Sequence, residues 1–147
     1  MSPEAAIRLF NLLCDLLPTE ATEATVRQQL QPLTTAASLV HRRLGRTYLT
    51  LGGEFFQLTA IFEGAGRHLY QVTLRVTPPA YAAIKTFART LPGAADSPPT
   101  VMAEWRSSWL GLVPHLSLRP LKKTGKGISA HFIGLLPRKK VIILTRR

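Results

Sequence analysis

Between Arg106 and Arg147 the chain has no aspartate or glutamate, although it carries eight acids upstream. Cysteine is scarcer still. Cys14 is the only one in 147 residues, so no internal disulfide can form and no thiolate set can hold zinc. The four histidines, His41, His68, His115 and His131, lack a second ligand at metal-binding spacing. Glu104 is the only acid near the basic C-terminal region, which leaves a two-metal nuclease without the carboxylates it needs. Neither metal nor cofactor is expected. The longest apolar stretches, Ile7 to Leu17 and Ile128 to Leu136, are shorter or more interrupted than the roughly 18 residues of a membrane-spanning helix, so no membrane insertion is expected. The first residues lack the basic cluster and apolar core of a secretory signal and carry Glu4 instead, which makes a cytoplasmic address the expectation.

What is present is the composition of a folded chain: 46% apolar and 18% charged residues. A length of 147 residues suits one domain over residues 1–147, with the connection at 93–99 as the one place for a subdivision. The net charge of +11 is unevenly distributed. Residues 1–104 hold nine cations against eight acids; residues 105–147 hold ten cations and none. A merely solvated surface mixes both signs, so this tract asks for a polyanion.

Ser2-Pro3-Glu4 predicts a helix start, with a capping hydroxyl, proline at the first helical position and an acid in the first turn. The helix should run to about Leu17, with Ile7, Phe10, Leu13, Cys14 and Leu17 facing inward. A more polar helix should follow over about Glu20 to Leu30, ending at Pro32. Strands are expected over Ala36 to His41 and Thr47 to Leu51, flanking Arg42-Arg43-Leu44-Gly45-Arg46 as a hairpin connection. Glu54 to Glu63 and His68 to Val76 read as a second hairpin across Gly64-Ala65-Gly66-Arg67. Alternation sets Phe56, Leu58, Ala60, Phe62, Tyr70, Val72, Leu74 and Val76 on one face, and Gln57, Thr59, Gln71, Thr73 and Arg75 on a wet or partner-facing side.

Thr77-Pro78-Pro79 opens a helix over about 79–91 whose Tyr81, Ile84, Phe87, Ala88 and Leu91 should cover a sheet face. Gly93 to Pro99 reads as an irregular connection, followed by strands over Thr100 to Trp105, Leu112 to Leu118, Gly127 to Leu135 and Lys140 to Thr145. The fold class is therefore α+β: two N-terminal helices, an antiparallel-rich sheet, one helix packed on it and a β-rich basic C-terminal part.

The basic residues flank apolar strand cores and gather in two turns. One is Lys122-Lys123-Thr124-Gly125-Lys126-Gly127, with Arg119 just before it, whose glycines and ammonium groups suit phosphate oxygens. The other is Arg138-Lys139-Lys140, and Arg146-Arg147 ends the chain. A nucleotide phosphate loop is not matched, because no hydroxyl residue follows Lys126 and a strand rather than a helix comes next. Trp105, Trp109 and Phe132 are candidates for stacking on unpaired bases, with core packing as the alternative for each.

These features lead first to non-catalytic binding of nucleic acid, RNA or single-stranded DNA favoured, through phosphate contacts at Arg119, Lys122, Lys123, Lys126, Arg138, Lys139 and Lys140. A protein-interaction module, a homo-oligomer or a complex subunit docking through its basic face is the second reading. The third is a small metal-independent ribonuclease, with His131 as first candidate for general base and Lys126 or Arg138 as electrostatic partner.

Overall fold

Helix α1 (Pro3–Leu16) starts where the Ser2 hydroxyl accepts from the Ala5 N–H, with Pro3 in its first turn. The computed structural model describes residues 2–64, 66–91, 94–104, 109–118, 127–134 and 140–146, with backbone alone for 97–104 and 109–115. The inward face of α1 is Ala6, Leu9, Phe10, Leu13 and Leu16. It is rotated from the expected one, and Ile7 and Cys14 lie on its flanks, partly buried. Ala6 and Leu9 complete the three-and-four spacing with Phe10 and Leu13, so the broadest apolar stripe is centred between them. Helix α2 (Glu23–Leu30) is capped by Thr22, buries Val26 and Leu30, and passes into a 3₁₀ turn over Gln31–Leu33.

Eight strands follow: β1 (Leu39–Arg43), β2 (Arg46–Gly52), β3 (Phe56–Glu63), β4 (His68–Val76), β5 (Ala95–Glu104), β6 (Trp109–Leu118), β7 (Ile128–Ile133) and β8 (Lys140–Arg146). Helix α3 (Pro78–Thr90) separates the first four from the last four. All lie in one antiparallel sheet of order β1-β2-β3-β4-β8-β7-β6-β5. Each half is thus a four-stranded meander, and the two meet where β4 pairs with β8, Thr73 opposite Ile143. Helix α3 packs against α1 and β8, the Phe10 and Phe87 rings meeting edge-on at 6.3 Å. The α+β class read from the sequence is the observed one, and no described helix is long and apolar enough to cross a membrane.

Three local expectations are corrected. The first hairpin turn is only Leu44-Gly45, both with positive φ (51° and 77°), so Arg42, Arg43 and Arg46 belong to the strands. Two residues of this conformation match the twist of an antiparallel pair, and a longer connection is not needed. In the second hairpin Leu69, not Tyr70, enters the core: Ile61 pairs with Gln71 but Phe62 with Leu69, so a β-bulge at Tyr70 reverses the alternation. Residues 95–99, expected as irregular connection, form the start of β5. Pro98 and Pro99 are tolerated because β5 is an edge strand, and the register shifts between Ser97 and Thr100 around them.

The main core lies between the helices and one sheet face, where Phe62, Leu58, Leu74 and Leu144 are fully buried. Strand β8 is buried on both faces. Ile142 and Leu144 pair with Leu74 and Val72 on the helix side, whereas Val141 and Ile143 belong to the opposite face and are only 0% and 7% exposed. A central strand of this kind requires a continuous apolar run, which Val141-Ile142-Ile143-Leu144 supplies.

Candidate nucleic-acid interface

Strand register decides which basic residues can act together. In an antiparallel meander successive turns alternate between the two ends of the sheet. At one end lie the Leu44-Gly45 turn, the turn after Glu63, and Arg146, which pairs with Ile128. Leu118 pairs with Ile128 at this same end, so the segment 119–127 leaves and re-enters the sheet here. This is called the hairpin end. At the far end Ile133 pairs with Val141, and residues 134–139 join β7 to β8 there. The two basic segments therefore join the sheet at opposite ends of β7, about 17 Å apart at the usual rise per strand residue.

Arginines from three elements join the hairpin end. Arg46 is bound to Glu63 at 2.6 Å, and Arg146 to Glu20 at 3.5 Å. A hydrogen bond to Tyr48 and then the Glu63 carboxylate raise the Arg46 pKa further above its usual range, so its charge is fixed. Arg67 stands at positive φ in the second turn and donates to the Thr47 hydroxyl at 3.0 Å. His68 Nδ1–H donates to the Glu20 carbonyl at 2.7 Å, tying the α1–α2 connection to this end. Arg42 and Arg43 are exposed on β1, on opposite faces of the strand, and neither pairs with an acid among the described residues.

Of the residues predicted from sequence, Arg119, Lys122, Lys123, Lys126, Arg138, Lys139 and Trp105 lie outside the described residues, and Trp109 is described by its backbone in β6. Lys140 begins β8 and its ammonium donates to the Gly134 carbonyl, across the mouth of the far-end connection. Phe132 is 7% exposed and meets the Tyr81 ring edge-on at 6.0 Å, which is the core-packing alternative rather than a stacking platform. Burial raises the Tyr81 pKa above its ordinary value. His131, also 7% exposed, lies opposite His115 on β6 and Ile143 on β8, so its ring offers little surface to a phosphodiester.

Open depressions occur among the described residues. One, of about 390 Å³, lies along the outer side of α1 between Glu4, Arg8 and Asp15; another, of about 480 Å³, lies between α2 and the segment before β1. Neither joins a nucleophile to a base. No group of three His, Cys, Asp or Glu residues suited to a metal ion occurs among the described residues.

From sequence, Arg42, Arg43, Arg46 and Arg67 read as solvated hairpin ends in preference to extensions of the basic patch. The alternation of turns was legible in each meander, but the β4–β8 pairing that aligns the two was not. No protein-family model, curated protein or solved structure matches the chain.

Proposed function

We propose that this chain binds nucleic acid without catalysis, RNA or single-stranded DNA before duplex, through phosphate contacts at the hairpin end of the sheet. The observation that carries this reading is the register: Arg42, Arg43 and Arg67 stand at the end where the segment bearing Arg119, Lys122, Lys123 and Lys126 leaves and re-enters, with β1 five strand spacings, about 24 Å, from β7, so the ligand must lie across the strand ends. The acids at this end, Glu63, Glu20 and, on β5, Asp96, each have an arginine of their own, so they do little to repel a polyanion. Exposed cations spread over several ordered elements suit a ligand with many evenly spaced charges better than one small anion. Arg138 and Lys139 follow the far end of β7, so only a ligand running along the strand engages both turns. Such contacts fix position and carry no sequence readout. Trp109 opens β6 at the end away from Leu118, so base stacking on it or on nearby Trp105 falls to a ligand that runs along the strands.

Labelled single-stranded RNA, single-stranded DNA and duplex DNA should each be titrated at low and moderate salt against wild type and Lys122→Glu/Lys123→Glu/Lys126→Glu. The expected result is salt-sensitive binding of the single strands that the triple variant loses. Absence of binding to all three at low salt would overturn the proposal.

A further inference from the structure

The two edges of the sheet differ in their open backbone, which phosphate contacts at Arg42 and Arg43 leave unused. The β5 edge is blunted by Pro98 and Pro99, which have no N–H to offer, and carries Asp96 and Glu104. The β1 edge has no such protection. All five of its residues, Leu39-Val40-His41-Arg42-Arg43, are exposed and none is proline, glycine or an acid. The exposed large apolar side chains among the described residues are Leu39 at 68%, Val40 at 40% and, in the adjoining turn, Leu44 at 90%. An edge that displays backbone hydrogen-bonding groups beside apolar side chains is a template for another strand.

We propose that β1 takes up an extended acidic segment of a partner protein as a ninth, antiparallel strand. Charge selects the occupant. Arg42 and Arg43 have no acid paired with them among the described residues, and Arg46 beside them is already held by Glu63. A second copy of this chain fits poorly: antiparallel pairing about His41 sets Arg42 and Arg43 opposite Val40 and Leu39 of the copy, so none of the four arginines meets an acid. An antiparallel partner reading acid, acid, any residue, apolar, apolar sets its carboxylates opposite Arg43 and Arg42, and its apolar side chains opposite Val40 and Leu39. Those pairs alternate between the two sheet faces, so the backbone supplies affinity and the side chains supply register.

The probe is a fluorescein-labelled ten-residue peptide containing Glu-Asp-Thr-Val-Ile, followed by anisotropy on the full chain at about 150 mM salt, where weak long-range attraction is screened. Wild type should bind it, and Arg42→Glu/Arg43→Glu should weaken binding by about tenfold or more. Two N-methylated peptides, blocked at odd or at even positions, separate strand addition from charge attraction without altering the protein. One of the pair should lose binding while the other retains it, because alternate N–H groups face the edge. Peptide should also slow amide exchange within residues 39–43. Failure of the peptide to bind, equal binding of both methylated forms, or protection of 39–43 by an oligonucleotide but not by peptide would overturn the assignment.

Discussion

If the hairpin end seats the phosphates, the salt dependence of binding should follow a count of its uncommitted cations. Arg46 and Arg146 are left out because each already faces a carboxylate, at 2.6 and 3.5 Å. Arg67, which donates to Thr47, is left out as well. Arg42 and Arg43 remain on β1, joined by Arg119, Lys122, Lys123 and Lys126 from the segment that leaves this end. Six neutralised phosphates give a log-log slope of about −4 on a single strand, so affinity should fall about 300-fold between 50 and 200 mM salt. Arg42→Gln/Arg43→Gln removes two contacts and should flatten the slope to about −3, a loss of about 50-fold over the same interval.

Lys122→Gln/Lys123→Gln/Lys126→Gln removes three and should bring the slope to about −2. By contrast, Arg138→Gln/Lys139→Gln, beyond the far end of β7, should leave the slope almost unchanged for an oligonucleotide long enough to cross the strand ends from β1 to β7, about 24 Å, but lying across rather than along the strands. The assay is anisotropy of a labelled single strand across a salt series, with thermal melts to show that each variant is folded. An Arg138/Lys139 variant that flattens the slope while the Arg42/Arg43 variant does not would move the interface to the far end and refute the count. A wild-type slope near zero would remove the electrostatic basis altogether.

Two predictions concern the fold and its single thiol. Leu74 is fully buried in β4 between Leu58 and Ile142, so Leu74→Ala should cost about 2–5 kcal/mol and lower the melting temperature by about 6–16 °C, whereas Leu39→Ala at the exposed edge should cost under about 0.5 kcal/mol. Equal losses measured by thermal denaturation would contradict the seam. Burial, and secondarily Asp15, pushes the Cys14 thiol above its ordinary value of 9.0. The unfolded thiol ionises first as pH rises past that value, so this contribution to stability is complete below it and lost above it. The difference in denaturant midpoint between wild type and Cys14→Ala should therefore be constant below about pH 9 and shift against the wild type above it, and a difference that stays constant up to about pH 10.5 would show that the thiol ionises alike in both states.

The class of fold was legible because its signals are local. Ser2-Pro3-Glu4 starts a helix through side-chain and backbone chemistry within one turn, and the alternation of Phe56 to Phe62 records a half-buried strand. The errors arose where a neighbouring strand decides. Tyr70 satisfies period-two alternation as well as Leu69 does, and only the bulge opposite Ile61 and Phe62 selects between them. Pro98-Pro99 reads as a strand breaker unless β5 is known to be an edge. For the candidate interface, the basic tract was visible as composition. Its alignment with Arg42, Arg43 and Arg67 was not, because that depends on the β4–β8 pairing.

Long-range pairing also changes what the net charge means. Taken alone, the C-terminal meander joins its two basic segments to opposite ends of a six-residue strand, about 17 Å apart. The contact between Thr73 and Ile143, seventy residues apart in sequence, brings the first meander alongside with its turns in phase. Arg42, Arg43 and Arg67 then share an end with residues 119–126, while Arg46 and Arg146 are taken up by Glu63 and Glu20. The hairpin end thus draws on both halves of a chain whose first 104 residues are nearly neutral. The same alignment leaves β1 outermost, the one edge that carries arginines and no proline. Cationic end and open edge therefore meet at Arg42 and Arg43, and a polyanion at the end and an acidic strand at the edge would compete for the same two guanidinium groups.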